Sequence, residues 1–226
     1  MQHQIKTLTI LFRNRIAPHE IPLFRGAVIG AVGKRQFDIF HNHRSDEGLL
    51  YRYPLIQYKT IQGKAAIVCV GEGVDALEAI LVNCNGPLHI GERSEQFEVV
   101  SAVPQKTSVE TWDDLFEYTI TNWLPLNKEN YQQYCQTEEL GRRIEILERM
   151  LVGNVLSACK GMGVRLLEQV RCQILTLSEP RKTYYKRTAM LRFDSRVRIN
   201  VTLPDNIGLG KGASLGHGTT TMIINQ

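Results

Sequence analysis

The sequence predicts an α+β protein built from two similar β/α units in tandem. Three observations carry that expectation: a strand–helix–hairpin–helix–strand order in the first half, a restart of the same plan after about residue 105, and a C-terminal third dominated by alternating apolar and polar positions. At 226 residues the chain has room for one large domain or for two of about a hundred residues each.

The first unit begins with QIKTLTILFR (4–13), which alternates as a strand, and IPLFRGAVIGAVG (21–33), whose apolar spacing and early Pro22 suit a helix. A polar loop, HNHRSDEG, follows. YRYPLIQYKTI (51–61) and KAAIVCVGEG (64–73) flank Gln62-Gly63, a hairpin signal, and VDALEAILVN (74–83) reads as the second helix. A last strand near GERSEQFEVVSAV completes a ferredoxin-like, RNA-recognition-type unit over residues 1–103.

The second unit, 104–226, opens with the strand FEYTITNWLPL and continues into the longest helix, QTEELGRRIEILERMLVGNVLSACKG. Thr137 is the expected N-cap, Leu140, Ile144, Leu147 and Leu151 the expected buried stripe, and Gly161 the C-cap. EQVRCQILTLS, KTYYKRTAMLRF and SRVRINVTLP then alternate as strands, with Asp194-Ser195 expected as a tight turn.

Composition places the chain among globular proteins, with 43% hydrophobic and 22% charged residues. Cys69, Cys84, Cys135, Cys159 and Cys172 form an odd set without a CxxC pair, which suits a reduced, cytoplasmic protein. The N-terminus lacks a signal-peptide pattern, and no run of eighteen apolar residues predicts a membrane span. Net charge is only +4, yet it is unevenly spread. Between Arg165 and Lys211 lie Arg165, Arg171, Arg181, Lys182, Lys186, Arg187, Arg192, Arg196, Arg198 and Lys211, against Glu168, Glu179, Asp194 and Asp205. In the expected hairpin from Ala189 to Leu203, Leu191, Phe193, Val197, Ile199 and Val201 share one face while Arg192, Arg196, Arg198 and Asn200 share the other. Tyr184, Tyr185, Lys186 and Arg187 extend this basic and aromatic mixture, a combination that suits phosphates and bases.

Near the C-terminus lies IGLGKGASLGHG, Ile207 to Gly218. A Walker loop requires GK followed by Ser or Thr and then a helix, but here Gly212 follows Lys211 and the remaining chain reads as strand. A dinucleotide fingerprint fails because no crossover helix can follow. That position argues against a nucleotide-dependent enzyme. What the spacing offers is exposed backbone N–H groups at Gly208, Gly210, Gly212, Gly216 and Gly218, with Lys211 as a point charge.

This C-terminal glycine loop, the tandem plan, and the segments LFRGAVI, FHNH and YRYPLIQYK together resemble the repeat-associated mysterious protein superfamily, and more specifically the CRISPR-associated endoribonucleases of family six. The resemblance spans essentially the whole chain. It implies a metal-independent endoribonuclease that processes CRISPR repeat RNA into guide RNA, leaving 2′,3′-cyclic phosphate and 5′-hydroxyl ends, with no cofactor and no metal. The loop is shared with non-cleaving members, so the alternative is an RNA-binding subunit of a CRISPR effector complex. Expected partners are the repeat RNA and effector subunits, with no membrane, the protein acting as a monomer or homodimer.

Such cleavage uses the 2′-hydroxyl as nucleophile and needs a base, an acid and a donor for the developing phosphorane charge. Among the six histidines, His41 and His43 stand together in the polar loop. The resemblance implies a catalytic histidine after the first helix, with His43 favoured by register and His41 open. The first helix lacks the tyrosine some members carry, and the next lysine is Lys59, so Tyr51 or Arg52, or Arg44, is expected to supply the missing donor. The RNA-binding set is Gly208, Gly210, Lys211, Gly212, Ser214, Gly216, His217, Arg192, Arg196, Arg198, Lys186 and Arg187. The HNH string is too compact for the nuclease of that name, and two histidines without cysteines do not predict zinc.

Overall fold

The computed structural model of the chain describes residues 4–32 and 53–224. They form two units: one comprises Gln4–Thr107 and Ser214–Gly216, the other Ser108–Ala213 and the residues from His217 onward.

In the N-terminal unit, β1 (Gln4–Arg15) runs antiparallel to β3 (Lys64–Val70), which pairs with β2 (Ile56–Ile61) across the Gln62-Gly63 turn. Both turn residues have positive φ, 52° and 75°, as a two-residue hairpin of right-handed strands requires. With β6 (Val99–Ser108) on the far side of β1, the sheet order is β2-β3-β1-β6. This is the ferredoxin-like order in which the first and third strands are central. Helix α1 (Ile21–Val32) presents Ile21, Phe24 and Val28, spaced by three and four residues, and α2 (Leu77–Cys84) adds the buried Ile80. The core they close contains Phe12, Phe24, Phe97 and Tyr58, in edge-on and stacked pairs with ring centroids 5.5–5.9 Å apart. A small hairpin, β4 (Pro87–Ile90) and β5 (Arg93–Gln96), is inserted before β6.

The C-terminal unit repeats the order. Its sheet runs β11-β7-β10-β8, from β7 (Thr111–Trp123), β8 (Cys172–Leu177), β10 (Thr188–Val201) and β11 (Thr219–Met222). The helical stretch is two helices, α3 (Lys128–Gln136) and α4 (Leu140–Gly161). Thr137 ends α3 instead of starting α4, and its hydroxyl bonds back to Gln133 O at 2.8 Å. The buried side of α4 is Ile146, Leu147, Leu151, Val155, Ala158 and Cys159, while Leu140 is 67% exposed. The expected stripe therefore begins too early, because the first turn of α4, residues 140–142, is exposed to solvent. Gly163, not Gly161, takes the left-handed position after the helix.

Asp194-Ser195 is not a turn. β10 runs straight through it, and the register with β7 shifts there, so Asp194 sits at a β-bulge. Its carboxylate accepts the Asn122 N–H at 2.8 Å and pairs with Arg181 at 3.3 Å, which satisfies a residue that reads as a turn former. The real turn is Lys186-Arg187, which joins β9 (Arg181–Tyr185) to the start of β10, with φ of 48° and 65°.

Two β-α-β halves of a ferredoxin-like unit each need a crossover, and between β10 and β11 the C-terminal unit has no α-helix. The segment 202–218, with one short 3-10 turn at Ala213–Leu215, stands in its place. The glycine-rich loop thus replaces the second helix. Among the described residues, no helix is long and apolar enough to cross a membrane.

Candidate nucleic-acid interface

The loop is anchored residue by residue. Leu209 N–H donates to Gly218 O at 2.8 Å, Lys211 N–H to Leu124 O at 3.3 Å, His217 N–H to Gly212 O at 3.3 Å, and Gly218 N–H to Asn122 O at 3.1 Å. Thr220 closes its base, donating from both N–H and hydroxyl to Ile207 O. Glycine is required where neighbours crowd. A Cβ on Gly210, whose φ is +83°, would lie 2.8 Å from Asn154 Oδ1, and one on Gly218 would run into the Leu209 carbonyl. A Cβ on Gly212 would meet the His217 ring at 2.6 Å and the Tyr185 ring at 3.0 Å. Gly208 faces Ala213, whereas Ser214 and Gly216 belong to the N-terminal unit, where Gly216 lies against Ile21 and the backbone of Tyr58.

Lys211 makes no ion pair among the described residues, and burial lowers its pKa from the ordinary lysine value. The His217 ring sits edge-on to Tyr185, centroids 5.8 Å apart. Its Nδ1 lies 3.3 Å from Asn122 O, so that nitrogen carries the proton and donates.

The basic residues divide into two groups. Lys186 and Arg187 occupy the exposed tip of the β9–β10 hairpin, with Lys186 Nζ 5.7 Å from the Tyr185 ring centroid. Left-handed conformations cost about 1–2 kcal/mol each for residues with a Cβ. Glycine or asparagine would relieve that cost, so the tip keeps its two cations against local preference. Arg192, half-buried, donates to Asn122 Oδ1 at 2.7 Å. Arg196 and Arg198 instead converge on Glu117, Arg198 Nη2 at 2.8 Å and Arg196 by a shorter contact. Hydrogen bonds from Arg196 and Arg198 hold the Glu117 carboxyl below its ordinary pKa. Asn200, expected beside them, is buried at 2% exposure and accepts the Arg171 N–H. The neighbouring open cavity, about 550 Å³ and lined by Asp113, Asp114, Glu117 and Arg198, is predominantly acidic and does not suit a phosphate backbone.

His41, His43, Tyr51 and Arg52 lie outside the described residues. Among the described residues no cluster of three or more His, Cys, Asp or Glu side chains is placed to hold a metal ion. Sequence reading missed Asn122, Asn154 and Glu117 as parts of this surface, while Tyr185 was expected there. Only Asn122 carries a signal, an asparagine interrupting the strand pattern of FEYTITNW, which marks a bulge.

A 104-residue stretch, 46% of this chain, is 31% identical to an uncharacterized protein of Methanocaldococcus jannaschii and covers 69% of it. The structure is similar to a crystal structure of Cas6b, with 27% identity, a TM-score of 0.86, and 98% and 100% of the two chains covered. A second Cas6b structure, described as a CRISPR RNA processing endoribonuclease, shares 23% identity at a TM-score of 0.74 over 98% of this chain and all of that one. A type IV Cas6 crRNA endonuclease shares the fold, with 13% identity and a TM-score of 0.59 over the same extents. The two matching family descriptions divide the chain as its two ferredoxin-like units do, the Cas6b N-terminal domain over residues 3–107 and the Cas6b C-terminal domain over 110–223, and the chain belongs to the Cas6b family.

Proposed function

We propose that this Cas6b protein is a metal-independent endoribonuclease that binds CRISPR repeat RNA in the cytoplasm and cuts it into guide RNA. The observation that carries the reading is the loop at Ile207–Gly218, held by backbone bonds where a helix would otherwise stand, with Lys211, which makes no ion pair among the described residues, within it and the Lys186-Arg187 tip beside it. Cations that have no carboxylate partner among the described residues favour a polyanion's backbone over a small nucleotide. Lys211, His217, Arg192, Lys186 and Arg187 hold the RNA. Arg196 and Arg198 contribute a net single charge, since both share Glu117.

The cutting step falls to the loop after α1. One of His43 and His41 takes the proton from the 2′-hydroxyl as it attacks the adjacent phosphorus, the bond from phosphorus to the 5′-oxygen breaks, and the other histidine, in its protonated form, gives the 5′-oxygen its proton. The two-proton transfer conserves charge and leaves a 2′,3′-cyclic phosphate and a 5′-hydroxyl. Tyr51 or Arg52 stabilises the phosphorane. The test is incubation of the purified protein with its own repeat RNA in EDTA, with end-group analysis of the products. Cleavage to a cyclic phosphate supports the reading; cleavage that needs added metal defeats it. Tight binding without product under any condition selects the non-cleaving subunit instead.

A further inference from the structure

We infer that Asn122 is a positioning residue that holds the Arg192 guanidinium beside the glycine-rich loop as part of the RNA phosphate site. The inference rests on the RNA-binding reading of that loop.

Asn122 occupies the bulge near the end of β7, where the pairing of Phe193 with Trp123 shifts to that of Ser195 with Ile120. Its φ is +52°, a conformation glycine adopts freely and asparagine tolerates better than most residues. Glycine would fit the backbone there, so the side chain needs another explanation. Its backbone N–H, backbone carbonyl and side-chain oxygen each reach a different part of the surface. The N–H goes to Asp194 Oδ1 at 2.8 Å, and the carbonyl receives Gly218 N–H at 3.1 Å and His217 Nδ1 at 3.3 Å. The side-chain oxygen receives Arg192 Nη1 at 2.7 Å. One residue therefore fixes the end of the loop, the histidine inside it and the nearest arginine.

The choice of partner for Arg192 matters electrostatically. Arg196 and Arg198 are held by a carboxylate, which cancels charge; Arg192 is held by a neutral amide oxygen, which orients it and leaves its full positive charge. Directly across the β9–β10 pairing stands Arg181, whose own charge is taken up by Asp194. Without the amide, Arg192 would be free to swing toward that same carboxylate. Asn122 thus keeps a cation next to His217 and Gly218 that its neighbourhood would otherwise neutralise.

The test is repeat-RNA binding by fluorescence anisotropy across a salt series, for the wild type, Asn122→Gly, Asn122→Asp, Arg192→Gln, Lys211→Gln and the double variant Asn122→Gly/Arg192→Gln. Each phosphate contact contributes about 0.7–0.9 to the slope of log affinity against log salt. Arg192→Gln should lower the slope by about that amount and weaken binding about three- to tenfold near physiological salt. Asn122→Gly should do the same with an unchanged melting temperature, and the double variant should lose no more than either single one. Asn122→Asp, which keeps the reach but adds a carboxylate, should lose the slope as well. The inference is overturned if Asn122→Gly leaves the slope intact, or if the two losses multiply in the double variant. A reduced slope in Lys211→Gln with none in Arg192→Gln defeats this inference alone; no change in any variant defeats the RNA-binding reading too.

Discussion

The fully buried indole of Trp123 donates its N–H to Asn154 Oδ1 at 2.9 Å, and that same oxygen fills the space where Gly210 would need to place a Cβ. The end of β7, the middle of α4 and the glycine loop therefore meet at one acceptor. Asn154→Ala strands a buried donor, which costs about 1–3 kcal/mol. Urea denaturation should register that loss, and repeat-RNA binding should weaken with it because Gly210 loses its wall. Wild-type stability in this variant would show that the loop does not depend on the helix.

Glu117 yields a prediction of the opposite sign. Glu117→Gln removes the carboxylate that holds Arg196 and Arg198, so it should tighten binding to RNA of any sequence and steepen the salt dependence. An unchanged slope would place both arginines outside the RNA path. Because those arginines hold the Glu117 pKa below its ordinary value, the pairing stabilises the fold at neutral pH. Its contribution is lost as pH falls through the lowered folded-state pKa.

β10 was legible because one of its faces is buried, and burial writes a period of two into Leu191, Phe193, Val197, Ile199 and Val201. The strand that follows the glycine loop, Thr219–Met222, was equally legible in its run of threonines and apolar residues. What misled was local chemistry satisfied at long range. Asp194 reads as a turn former, but its carboxylate is taken by Asn122 and Arg181. Lys186-Arg187 reads as strand, because neither residue advertises a left-handed turn. Glu117 lies about eighty residues from the arginines it neutralises, a pairing no spacing rule reveals. The histidines rest on resemblance and their place in the chain.

Lys59 predicts a pH dependence. It is fully buried on β2, and burial lowers its pKa to about 7 from the ordinary lysine value of 10.5. Between those two values the unfolded chain binds more protons at this site than the folded one. Stability should therefore rise with pH from about 7 toward 10.5. Lys59→Met, similar in volume and uncharged, should flatten that rise. Urea melts followed by circular dichroism at pH 7 and pH 9 test this, and an identical pH response in both proteins would show that Lys59 is not the group responsible.

The histidine pair separates cutting from holding. The residues proposed to grip the RNA are in the C-terminal unit, while His41 and His43 fall in the N-terminal half of the sequence. Removing a proton-transfer group should therefore abolish cleavage without weakening repeat binding. His43→Ala is expected to lower the single-turnover rate by about 100- to 10,000-fold, the usual contribution of a positioned acid or base, with an unchanged dissociation constant. Lys211→Gln should do the reverse, weakening binding while sparing the rate at saturating protein. If His43→Ala cuts normally and His41→Ala does not, the base moves by two residues and the chemistry stands. If both variants cut at the wild-type rate, the proton transfers belong to other side chains, and His217, inside the glycine-rich loop, becomes the next group to replace.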